Sequence, residues 1–96
     1  MTAMHPAVAQ IRAWRLATEI EIAERQLHET QLAIAIANEC ANGLRAIGDP
    51  TWKSVTRSAV KLSLEAATLE TGPLLRVRDE LRRVVGAHDI LIPGAA

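Results

Sequence analysis

A chain of 96 residues holds one domain, because a second independent core would leave each half too small to be stable alone. The apolar share is 49%, but its mass is Ala, Leu, Ile and Val, with two Trp and no Phe or Tyr; such residues pack helices closely and leave few large side chains to wall a ligand pocket. Eleven basic residues balance eleven acidic ones, so net charge selects neither nucleic acid nor an anionic membrane as partner, and the lone cysteine, Cys40, rules out an intramolecular disulfide and fits a reducing compartment.

The opening stretch, "MTAMHPAVAQIR", lacks the continuous apolar core of a signal peptide. No apolar run approaches the ~20 residues of a membrane span. The expectation is a cytoplasmic protein with no membrane partner. Nine Arg against two Lys, with abundant Ala, point to a bacterial or phage gene, and for a phage the compartment is the host cytoplasm.

The first element begins at His5-Pro6, since proline suits a first helical position where its missing N–H would be unpaired anyway. Positions 9, 13, 16, 20, 23, 27, 30, 34, 37, 41 and 44 hold Ala, Ala, Leu, Ile, Ala, Leu, Thr, Ile, Ala, Ala and Leu. This unbroken 4-3 spacing predicts one helix over 6–47, roughly 60 Å long at ~1.5 Å per residue. "GDP" at 48–50 then supplies a stop and a restart: Gly48 takes a left-handed C-terminal position, Asp49 caps the next helix and Pro50 begins it. Trp52, Val55, Ala59, Leu62, Ala66 and Leu69 carry a second helix, 50–71, to "TGP". Leu74, Val77, Leu81 and Val84 carry a third, 73–85, and residues 87–96 form a tail with an apolar centre, Ile90-Leu91-Ile92.

The two halves match in length, so the return segment runs back along the whole first helix. Gly72-Pro73 is either a kink in it or a sharper corner closing a three-helix bundle, and the kink uses the matched lengths better. The fold class is all-α: a long antiparallel helical hairpin with a broken return helix.

Projected at about 100° per residue, the first helix carries a second apolar strip made of Ile11, Ile22, Ile36, Cys40 and Ile47, with Trp14 and Leu32 at its edge. It lies more than a quarter turn from the first stripe. A helix with one neighbour needs one apolar face, so a hairpin alone leaves this strip in water. A second copy of the chain is the expected cover, giving a homodimeric helical bundle, and another protein would serve as well.

Chemistry finds little support. Glu24 and His28 share a helical face, but carboxylate metal sites in bundles draw matching ligands from other helices, and the return segment offers none. Cys40 has no histidine at helical spacing, and neither a nucleophile elbow nor a phosphate-binding glycine loop is present. No metal or cofactor, and no enzymatic activity, is expected. Lys53, Arg57 and Lys61 form a basic row, and Arg76, Arg78, Arg82 and Arg83 a basic cluster, but acidic residues interleave and stacking aromatics are missing, so nucleic acid is the lesser alternative. Folding about Gly48 brings Arg57 near the level of Glu39, which suggests charge pairing within a hairpin or between two of them.

In outline the Asp49-Pro50 turn between a long helix and an Ala-rich return helix is similar to the needle subunits and needle co-chaperones of type III secretion systems. That likeness implies a structural or chaperone role, and it rests on one dipeptide. The small secreted Trp-x-Gly hairpins do not match, because Gly48 precedes Trp52 and no tyrosine export signal exists. The sequence is read as a protein-binding module, an adaptor or co-chaperone or a stoichiometric inhibitor. Ile11, Trp14, Ile22, Leu32, Ile36, Cys40 and Ile47 form its interface, and Arg76, Arg78, Arg82, Arg83, Ile90, Leu91 and Ile92 are further docking candidates.

Overall fold

The protein is seen in a computed structural model that describes residues 5–88 and 90. Three helices follow in order: α1 (Pro6–Ala46), α2 (Trp52–Thr71) and α3 (Pro73–His88). They make an elongated hairpin of 65 × 26 × 14 Å, with no strand among the described residues. The all-α hairpin expected from the spacing is therefore present, and both α2 and α3 pack against α1.

α1 starts where His5 places Nδ1 to accept from the Ala7 backbone N–H at 3.1 Å, ahead of Pro6 at the first helical position. It stops at the glycine. Gly48 has φ +76°, its N–H donates to the Arg45 carbonyl at 3.1 Å, and the Asp49 N–H donates to the Leu44 carbonyl at 2.9 Å. These two bonds are the paired closure of a Schellman motif, and they satisfy carbonyls that the helix end would otherwise orphan. A Cβ at a left-handed position costs roughly 1–2 kcal/mol, so Gly48→Ala is expected to lower stability by about 1 kcal/mol, read from the urea midpoint at constant slope.

The restart is tight. Asp49 Oδ1 accepts from both the Thr51 N–H, at 2.9 Å, and the Thr51 hydroxyl, at 2.6 Å, so it fixes the turn ahead of α2, while the N-cap position falls to Thr51 rather than to Asp49 as expected. Regular α-helix begins at Trp52 rather than Pro50, because the first turn closes through i→i−3 bonds such as Lys53 N–H to the Pro50 carbonyl, 3.2 Å. At the other boundaries α1 ends one residue earlier than the spacing suggests, and α3 runs on through Gly86 to His88.

Between α2 and α3 stands Gly72 alone. The Gly72 N–H donates to the Thr68 carbonyl and the Arg76 N–H to the Gly72 carbonyl, each at 3.1 Å, so the ladder runs through the break. The open choice at Gly72-Pro73 resolves as a kink, and the return segment is one bent helix.

The interior is thin. Among the described residues Ala9, Ala13, Ala41, Ala59, Ala66, Leu74 and Val84 are buried, and Leu74 is the one large side chain fully out of solvent. Leu16, Leu81 and Ile90 pack around Ala9, Ala13 and Val84, so the described part of the tail closes the open end of the hairpin; Leu91 and Ile92 lie outside the described residues. Thr30, which interrupts the apolar stripe, donates its hydroxyl to the Gln26 carbonyl at 2.9 Å, so the stripe holds no unpaired polar group there.

Candidate interaction surface

α1 is apolar on two sides. The inner stripe meets α2 and α3, while Ile11, Ile22, Leu32, Ile36 and Ile47 are each at least half exposed, with Ile36 at 62% and Ile47 at 77%. Trp14 is 49% exposed and Cys40 is also exposed. The structure therefore places the whole expected strip on the outer side of α1, turned away from the return helices. Val8 belongs with it and was not legible from the isoleucine spacing alone. The depressions around Ile11, Trp14, Arg15, Thr18 and Glu19 are open and shallow, a surface suited to another helix rather than to an enclosed small molecule.

A smaller edge faces outward from α2. Val60 and Leu64 are exposed there, on the same helical side as Lys53, Arg57 and Lys61, none of which forms an ion pair among the described residues. Within the hairpin Arg57 and Glu39 form no ion pair. Both residues are exposed.

The ion pairs that join the arms are elsewhere. Arg12 reaches Glu80 at 2.6 Å and Arg78 reaches Glu24 at 2.9 Å, tying α3 to the N-terminal half of α1. Glu24, which shares a helical face with His28, is thus held by the Arg78 guanidinium. Within α3, Arg83 meets Glu80 at 3.0 Å and Arg82 meets Asp79 at 3.5 Å. Of the four-arginine cluster only Arg76 lacks an ion pair among the described residues, so the cluster is largely neutralised by its own neighbours. Among the described residues no group of three or more His, Cys, Asp or Glu side chains gathers in ligating range.

Two carboxylates titrate low. The hydrogen bond from Arg12 holds Glu80 below the ordinary value of 4.5, against an opposing push from desolvation and with help from the charges of Arg12 and Arg83. The Thr51 hydroxyl, and then the Thr51 N–H, hold Asp49 below 3.8. A carboxylate with a depressed folded pKa adds stability that is complete above its unfolded value and is lost as pH falls through the folded one. Stability should thus be level from neutrality to about pH 4.5 for Glu80, then decline. Glu80→Gln should make that decline shallower in urea midpoints recorded against pH.

Among the described residues no helix is long and apolar enough to cross a membrane. No family model, no curated protein and no solved structure matches this chain at the significance required, so the surface itself has to carry the functional reading.

Proposed function

We propose that this chain is a non-enzymatic protein-binding module of the cytoplasm, an adaptor or co-chaperone or a stoichiometric inhibitor whose active form is an assembly with other helices. One observation carries the reading: the buried positions are mostly alanines, while many large aliphatic side chains stand in solvent. Among the described residues ten large hydrophobic side chains are about half exposed or more, against the single fully buried Leu74. Monomeric proteins expose isolated apolar residues routinely, but exposed apolar residues recurring at seven-residue spacing along one helix, with charged residues between them, are the pattern of a helix-pairing face. The outer strip of α1 offers the longer docking surface. The α2 edge offers a second, apolar at Val60 and Leu64 and basic at Lys53, Arg57 and Lys61, fitted to an acidic amphipathic segment.

The nucleic-acid alternative draws on Lys53, Arg57, Lys61 and Arg76, and its weakness is that Arg78, Arg82 and Arg83 are already paired with carboxylates. A salt titration with duplex DNA separates the two. The protein-binding reading expects no binding even at low salt, whereas affinity falling steeply with salt would favour the alternative.

Affinity capture from the native host tests the reading directly. The unaltered chain should retain a defined protein in fixed proportion. Trp14→Ala should lose roughly tenfold or more in affinity, as is common for a tryptophan that a partner covers, with far-UV circular dichroism unchanged. Recovery of nothing but the chain itself would count against an adaptor or inhibitor and in favour of a purely self-assembling structural subunit.

A further inference from the structure

We infer that the outer strip of α1 is a seam for a second copy of this chain, antiparallel, with the two-fold axis at the level of Leu27. The inference deepens the protein-binding reading by naming one occupant of the strip. It rests on a pattern wider than the isoleucines.

The strip follows its own seven-residue repeat. One set of seam positions holds Val8, Arg15, Ile22, Glu29, Ile36 and Gly43; the other holds Ile11, Thr18, Arg25, Leu32, Glu39 and Ala46. Every one of these residues is exposed in the hairpin. In an antiparallel pair of helices, residues of one set face residues of the other, and a two-fold axis at Leu27 sets opposite each other the residues equidistant from it.

The match is then complete along the seam. Arg25 faces Glu29 of the second copy, and Arg15 faces its Glu39, so each charged layer is a pair of opposite sign, repeated by symmetry. Ile22 faces Leu32 of the second copy. Ile36 faces Thr18, whose hydroxyl already donates to the Trp14 carbonyl at 3.0 Å, which leaves its methyl group to pack. Val8 faces Ala46, and Ile11 faces Gly43.

Competing alignments fail on charge. Sliding the copies by one repeat in one direction sets Ile22 against Arg25 and Val8 against Glu39. Sliding in the other sets Ile22 against Glu39 and Leu32 against Glu29. A parallel, in-register pair sets Arg25 on Arg25 and Glu29 on Glu29. Buried charge placed against apolar surface or like charge costs far more than it returns, so these four residues act as register keys in the way polar seam residues do in paired helices.

The hairpin does not otherwise use those charges. Arg15, Glu29 and Glu39 enter no ion pair among the described residues, and Arg25 makes one long, exposed contact, 3.5 Å, with Glu21 on its own helix. Gly43 points the same way. Glycine inside a helix is destabilising, yet a Cβ added there would meet nothing within 4 Å. The hairpin has no need of glycine at that position, but a partner helix bringing up Ile11 and Trp14 has.

Charge inversion and crosslinking test the register together. By light scattering the unaltered chain should have twice its 10.4 kDa mass. An acidic variant (Arg15→Glu with Arg25→Glu) and a basic variant (Glu29→Arg with Glu39→Arg) should each be monomeric at concentrations where the unaltered chain pairs. An equal mixture of the two should recover the doubled mass, with helix content constant throughout. In a Cys40→Ser background, Thr18→Cys mixed with Ile36→Cys should oxidise to a covalent dimer, and Thr18→Cys alone should not. An unaltered chain that stays monomeric, charge variants that keep the doubled mass, or Thr18→Cys crosslinking to itself would overturn the pairing. A monomeric chain whose capture of another protein still depends on Trp14 would sink the pairing and leave the protein-binding reading standing. A chain that pairs as described and captures nothing else would do the reverse.

Discussion

At concentrations where the unaltered chain pairs, the Ile36→Asp chain should run as a monomer with its helix content intact. Ile36 is 62% exposed in the hairpin, so the hairpin loses almost nothing when it is replaced. In the paired form the side chain is covered, and burying an isoleucine is worth roughly 1.5–3 kcal/mol. Symmetry doubles the effect to about 3–6 kcal/mol per dimer, or about two to four powers of ten in the dissociation constant. A carboxylate forced against Thr18 of the second copy adds a desolvation cost. Concentration-dependent light scattering, read beside urea unfolding of dilute protein, separates the two roles. A drop in the stability of the dilute, monomeric chain would show that Ile36 supports the hairpin itself, and an unchanged dissociation constant would remove it from the seam.

The hairpin was legible because its signals are local. Gly48 imposes a backbone requirement that no distant contact overrides and was read correctly as the stop, while the regular helix restarts at Trp52, two residues later than Pro50 suggests. The outer strip was legible for a related reason: a second apolar periodicity on one helix follows from the residues alone, whatever the first one packs against. The ion pairs were not legible. Turning the chain about Gly48 fixes how high Arg57 and Glu39 stand on the two arms, but pairing also needs the side chains to face each other, and that depends on how each helix is rotated about its axis. The pairs that form, Arg12 with Glu80 and Arg78 with Glu24, depend on the bend at Gly72 carrying α3 onto the N-terminal half of α1. Gly86 misled in a smaller way. Its penalty inside a helix is about 1 kcal/mol, too little to end α3 while Val84 on one side and Ile90 beyond it pack against α1.

The register keys were missed for a different reason. Arg15, Arg25, Glu29 and Glu39 look like solvated surface when the strip is defined by hydrophobicity alone. They gain meaning only when the exposed side of α1 is read as a seam whose two halves must complement each other. A thin, alanine-lined interior and a charge-keyed outer seam belong together. If pairing completes the core, apparent stability rises with protein concentration, because anything that binds only the folded chain stabilises it by mass action.

Against that background Leu74→Ala is the substitution expected to damage the fold most. Leu74 is the large side chain fully removed from solvent, and it follows Pro73 at the start of α3, where the return helix bends. Its truncation removes the apolar contact that seats the bend and leaves a cavity that a hairpin only 14 Å thick has few side chains to fill. Leucine-to-alanine changes at buried sites cost about 2–5 kcal/mol, a large fraction of the roughly 5–15 kcal/mol that holds a small domain together. The urea midpoint should fall accordingly at every protein concentration, unlike that of Ile36→Asp, whose deficit should be confined to concentrations at which the unaltered chain is paired. A loss under about 1 kcal/mol, the range of mild core changes, would mean that Leu74 does not anchor α3, and that the ion pairs of Arg12 and Arg78 hold the bent helix in place without it.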